Sequence, residues 1–102
     1  MAILITAASF AVAYKLERFL NEPEVYFAEQ IEMPAIPGKK FIRIPNALSP
    51  IFTSEMLKIC LDNQIVKIFP LKRSEIEELS KANQLFSEYG ISIIIPSDEW
   101  IL

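Results

Sequence analysis

The chain has no histidine, and among its 102 residues there is one cysteine, Cys60, and only two glycines, Gly38 and Gly90. Without histidine the commonest metal ligand and acid–base catalyst is missing, which rules out histidine-dependent triads and cysteine–histidine pairs. A lone thiol excludes an internal disulfide. Positive charge is also thin: ten basic residues against thirteen acidic ones, net −3, with Lys39-Lys40 and Lys72-Arg73 the only adjacent basic pairs. Nucleic-acid binding needs a basic face, and none forms here. No apolar run reaches the ~20 residues that span a bilayer. The uncharged first fourteen residues end in Ala11-Val12-Ala13, which resembles a signal-peptidase site. A signal peptide carries positive charge before its apolar run, whereas Lys15 follows this one. The reading is a cytoplasmic protein with no membrane partner, no metal, no cofactor and no catalytic residue of its own.

What is abundant is apolar material, 52% of the chain. No repeat and no long polar tract divides it, so residues 1–102 are read as one domain. A domain of this size buries about two-thirds of the surface its unfolded chain exposes. Some apolar surface is therefore left for a partner.

Ala2–Thr6 is apolar without alternation, as in a strand buried on both faces. Val12, Ala13, Leu16, Phe19 and Leu20 then recur at helical spacing, and Asn21 and Pro23 end that helix. Val25–Ala28 reads as a second strand running out at Glu29, residues 30–39 as a loop, and Phe41–Ile44 as a third strand near a sheet edge. Ser49-Pro50 is a good helix start. That helix turns Phe52, Met56, Leu57, Cys60 and Leu61 inward and stops near Asn63. Ile65–Phe69 is the fourth strand. Ser74-Glu75-Ile76-Glu77 fits a capping box opening a third helix. Its buried stripe is Ile76, Leu79, Ala82, Phe86 and Tyr89, and Gly90 is its terminator. Ile91–Ile95 is a fifth strand.

Buried strands alternating with amphipathic helices predict a three-layer, Rossmann-like α/β fold. Its mostly parallel five-stranded sheet has the order 3-2-1-4-5 and helices on both faces. Ligands of such sheets bind beyond the carboxyl ends of the strands, where the winding reverses. In this order the crevice lies between the first and fourth strands, where Ala7-Ala8-Ser9 faces Leu71-Lys72-Arg73.

The segments ILIT, VYFAE, IVKIFP, SEIEEL and GISIIIPS follow one another at intervals that resemble a known family. From Ile3 to Trp100 the chain is similar to the N-terminal, pre-ATP-grasp domain of ATP-grasp enzymes, particularly those like the carbamoyl-phosphate synthase large chain. Such domains read as an apolar strand into a glycine-rich turn, a strand ending in an acid, an "IDVVIP" strand, a "TxDxEL" segment and a "GIxVxxPS" strand. The resemblance implies a ligand region at Ala8, Ser9, Glu29, Lys72, Arg73 and Glu75. Glu29 matches the acid that ends the second strand, and Glu75 matches the glutamate after the fourth. Two departures weaken a nucleotide site: alanines and a serine stand where the glycines would be, and Arg73 replaces the aspartate. Family members continue into the catalytic ATP-grasp fold, whereas this sequence stops at Leu102, so the ATP-activating residues are expected to be absent.

Bland roles compete at each position. Cys60 lies on an apolar helix stripe and reads as core. Glu75 suits a helix's first turn as a favourable charge. Lys72-Arg73 is either solvated surface or, with Ser9 and a helix N-terminus, a small-anion site. The expected function is that of a non-catalytic, stand-alone pre-ATP-grasp-like domain. It acts by association with itself as a homodimer or with a separate ATP-grasp subunit, through Trp100, Ile101 and Leu102. The competing expectation for Trp100 is that it folds back onto its own domain. Two alternatives remain open: the N-terminal part of a split ATP-dependent carboxylate–amine ligase that contributes acceptor-substrate contacts, and a small-anion or nucleotide-binding regulator.

Overall fold

Alternating side chains of a strand point to opposite faces, so a strand apolar at every position needs cover on both. Ala2–Ile5 forms β1, buried throughout, at the centre of the sheet. Its flanking strands are β2, Val25–Glu29, and β4, Ile65–Phe69; β3, Lys40–Arg43, and β5, Ser92–Ile93, are the edges. In this computed structural model, which describes residues 1–102, all four strand pairs are parallel and the order is 3-2-1-4-5. The expected fold is therefore the observed one.

Helix α1, Ala11–Leu20, joins β1 to β2; α2, Phe52–Asp62, joins β3 to β4; α3, Arg73–Lys81, and α4, Asn83–Glu88, join β4 to β5. The winding runs one way from β1 to β2 and the other from β4 to β5, which sends the crossover helices to opposite faces. Two apolar clusters result. Ala2 and Leu4 of β1 join Phe52, Met56, Cys60, Leu79 and Phe86 on one face. Ile3 and Ile5 join Ala13, Leu16, Phe27 and Leu71 on the other, with Trp100 packed against them. Cys60 is core, as expected, and burial pushes its thiol up to about 12.

Several boundaries differ from expectation. Helix α3 begins at Arg73, with Lys72 at its N-cap and no side-chain cap, so Ser74 lies inside the first turn and caps nothing. The helix phase is set by Glu75 and Leu79, four residues apart and both buried. The expected single helix is broken at Ala82, and the stripe shifts: Leu79 and Phe86 enter the core, while Tyr89 is 54% exposed. Its end is as expected. Gly90, at φ +76°, turns the chain so that its amide donates to Ser87 and that of Ile91 donates to Phe86, both at 3.0 Å. Ser49-Pro50 forms the turn before α2, which opens at Phe52, and Leu61 faces outward. Strand β5 keeps two of the five expected residues and leaves Ile95 exposed, because it has a neighbour on one side only.

Three non-glycine residues adopt left-handed backbone: Ala7 (φ 58°), Asn21 (φ 52°) and Gln64 (φ 56°). Asn21 is the terminator expected for α1. Gln64 is exposed in the tight α2–β4 turn, where glycine avoids the cost of a Cβ in this conformation. Gln64→Gly is expected to stabilise the chain by about 0.5–1 kcal/mol, read from urea denaturation midpoints.

Candidate functional site

The switch-point crevice lies where β1 and β4 diverge, and it is closed by the chain's own groups. After β1, Thr6 is fully buried, and its hydroxyl accepts the Leu71 amide at 2.8 Å, tying the β1 and β4 exits together. Ala7 takes a left-handed conformation that favours glycine, at some cost in strain. Ala8 is buried, with its amide on the Ala28 carbonyl (3.1 Å) and its carbonyl accepting the Tyr14 hydroxyl (2.6 Å). The Ala8 amide is thus already paired within the chain.

Glu29, the last residue of β2, projects between Ser9 and Lys72. It is 3% exposed. One carboxylate oxygen accepts the Ser9 hydroxyl at 2.5 Å and the Ser9 amide at 3.1 Å. The other accepts the Gln30 amide at 2.8 Å and the Lys72 ammonium at 3.0 Å. Burial by itself pushes this carboxyl up. The Ser9 hydroxyl, the Gln30 amide, the Lys72 ammonium and the Ser9 amide outweigh it, and the net result is a carboxyl brought down to about 2. Ser9 and Lys72 do converge, as the sequence suggested, but on Glu29. The exogenous anion expected between them meets an internal carboxylate instead. Arg73 is exposed and joins neither an ion pair nor a hydrogen bond, so it lies outside the cluster.

Glu75 is the unexpected member. It lies in the first turn of α3, as the sequence pattern predicts, but it is fully buried and neither of its oxygens has a hydrogen-bond partner. Glu75 lies one turn before Leu79 on the same face of α3, so the phase that buries Leu79 turns Glu75 inward as well. Burial raises its pKa. The Thr6 hydroxyl, the Lys72 ammonium and the Lys72 amide pull the other way, but none completes a hydrogen bond to it, and Glu29 adds repulsion. The crevice thus holds one ionised, fully solvated-by-protein carboxylate and one held toward neutrality.

The terminal segment returns to its own domain. Asp98–Trp100 forms a short 3-10 turn. The Trp100 ring packs against Phe19 at 5.4 Å, and the Leu102 amide donates to the Leu71 carbonyl at 2.8 Å. Of the two expectations for Trp100, folding back is the one observed.

Beyond the carboxyl ends of β1 and β2 lies an open cavity of about 650 Å³ that residue reading missed. Ala8, Ser9 and Tyr14 form one wall, Arg18 and Lys39 stand on the rim, and the 31–36 loop closes it. Its signal in the sequence is faint, since Arg18 and Lys39 are 21 positions apart and meet only in the fold. No group of three or more metal-ligating side chains is assembled anywhere, and no helix is long and apolar enough to cross a membrane.

Comparison with known proteins finds no matching family model and no matching curated protein.

Proposed function

We propose that this chain is a non-catalytic domain of pre-ATP-grasp type that acts by association, with a second copy of itself as the partner. The observation that carries the reading is Glu29. Its carboxylate occupies the anion position at the switch point and uses up Ser9 and Lys72, the donors a phosphate would need. Apolar surface supports the association. Leu48 is 81% exposed, and Ile51, Leu61 and Leu85 also face outward around α2 and α4. A groove of about 460 Å³ runs there between Pro50, Leu57, Leu61 and Leu85. Its charged residues are one of each sign, Lys58 and Asp62, 3.9 Å apart. A two-fold copy meets such a face without net like-charge repulsion. The ATP-grasp subunit implied by the resemblance is the competing partner.

Light scattering coupled to size exclusion, at tens of micromolar, is expected to give the mass of a dimer. Leu61→Glu is expected to give a monomer with an unchanged circular dichroism spectrum. A monomeric parent chain overturns self-association. Calorimetry with magnesium and ATP is expected to give no saturable heat, and micromolar binding overturns the non-catalytic reading.

A further inference from the structure

Glu75 is the one side chain whose buried oxygens have no hydrogen-bond partner, and the groups around it are unequally engaged. It stands three residues after Lys72, the N-cap of α3. From that position a glutamate reaches back toward the N-cap residue, and side chains at this spacing are neighbours. Three elements present polar or charged groups to it. They are the Thr6 hydroxyl after β1, the Glu29 carboxylate at the end of β2, and the Lys72 ammonium and amide at the start of its own helix. The ammonium is the one cation among them, and it is held on Glu29 at 3.0 Å.

The two carboxylates compete for Lys72 on unequal terms. Glu29 has three further donors, the Ser9 amide and hydroxyl and the Gln30 amide, so it stays hydrogen-bonded when the ammonium leaves. Glu75 has none. While Glu75 is protonated it carries no charge to draw the ammonium, and the pairing with Glu29 prevails. Once it loses its proton, a buried charge without a partner is the costlier arrangement. Rotation of the Lys72 side chain relieves it, and that side chain is 24% exposed, so it has room to turn. We propose that Lys72 is a pH-operated latch: it ties α3 to Glu29 while Glu75 is protonated, and it turns its ammonium onto Glu75 when Glu75 gives its proton to solvent. Burial raises the Glu75 carboxyl above its ordinary 4.5, so the latch is shut below that value and opens as pH rises through the folded one. Opening removes a polar link between β2 and α3 and takes the cation from the Phe10 ring, whose centre is now 5.8 Å away. Phe10 is itself exposed, so the change reaches the mouth of the crevice.

The test is NMR of the full chain, labelled at the glutamate carboxyl carbons, from below pH 4.5 into mildly alkaline solution. The Gln30 amide and the Lys72 ammonium share one Glu29 oxygen, whereas the Ser9 donors use the other. The Gln30 amide and the Phe10 ring are therefore expected to shift with the same midpoint as the Glu75 carboxyl, and the Ser9 amide less than half as far. Glu75→Gln is expected to keep the fold and abolish these shifts, since glutamine matches the protonated acid in size and charge. Lys72→Met is expected to raise the proton affinity of Glu75 by about tenfold or more, one pKa unit. Any of five results overturns the latch: Glu75 titrating at its ordinary value, Gln30 and Phe10 staying still while it titrates, shifts that persist in Glu75→Gln, a Glu75 midpoint unmoved by Lys72→Met, or loss of the folded spectrum across the same range. The latch does not rest on self-association: a monomer with these shifts supports the latch alone, and a dimer without them supports only the other reading.

Discussion

Glu29→Ala is expected to lower the stability of the fold by about 3 kcal/mol and its melting temperature by on the order of 15 °C. The carboxylate joins three segments distant in sequence: the turn after β1 through Ser9, the end of β2 through Gln30, and the start of α3 through Lys72. Truncation leaves the Ser9 amide and hydroxyl and the Gln30 amide without their acceptor, and Lys72 without its counter-charge. Lys72 is 24% exposed at its side chain and recovers part of its hydration, which keeps the loss below that of a wholly buried pair. The pH dependence follows from the direction of the shift. The folded carboxyl sits at about 2 against an ordinary 4.5. Its contribution is therefore complete above about 4.5 and is lost as pH falls through about 2. Urea denaturation at neutral pH should show the full difference between parent and variant, and the difference should shrink in strong acid. A loss under about 1 kcal/mol at neutral pH would place the cluster with ordinary surface ion pairs.

Glu75→Gln acts in the opposite direction. An ionised carboxylate buried without a partner opposes folding, so the folded chain favours the protonated form, with burial as the main cause. A raised folded pKa means that the favourable, protonated state is fully available below the ordinary 4.5. Stability is then lost as pH rises from there through the folded value. Glutamine keeps the size and neutrality of the protonated acid at every pH. Below about pH 4.5, parent and variant should have similar stability. In mildly alkaline solution Glu75→Gln should be more stable by about 1–3 kcal/mol, the cost of burying the ionised carboxylate, a charge that glutamine never carries. Denaturation midpoints across this range decide the matter, and parallel pH profiles for the two proteins would count against a buried, unpaired Glu75. Two carboxylates in one crevice thus give pH dependences of opposite sign. The difference between them comes from hydrogen-bond donors: Glu29 has four and Glu75 has none.

Part of this site was legible beforehand. The sheet order puts Ser9 and Lys72 at one crevice, because it brings the carboxyl ends of β1 and β4 together, whereas Glu29 and Glu75 enter only through the resemblance. Their roles were not legible. That Glu29 answers Ser9 and Lys72, in place of a ligand, depends on side-chain reach across residues 20 and 43 positions apart. The burial of Glu75 depends on the rotation of α3 about its axis, which local pattern left free between two phases. The Ser74 reading chose the wrong one, since a capping serine looks the same whether or not the core claims its neighbour. Arg73 failed for the same reason, as one step along a helix turns a side chain by about 100°.

The sequence by itself determined the elements, their parallel arrangement and the central place of β1. Those follow from local periodicity and from strands with no polar face, and a chain so patterned can bury itself in few other ways. Only the tertiary structure decided where each polar group at the crevice goes and that Trp100 lies on Phe19. Periodicity is a property of neighbours along the chain. Pairing, desolvation and charge balance depend on which distant atoms come within a few ångströms, and that is settled when the layers pack.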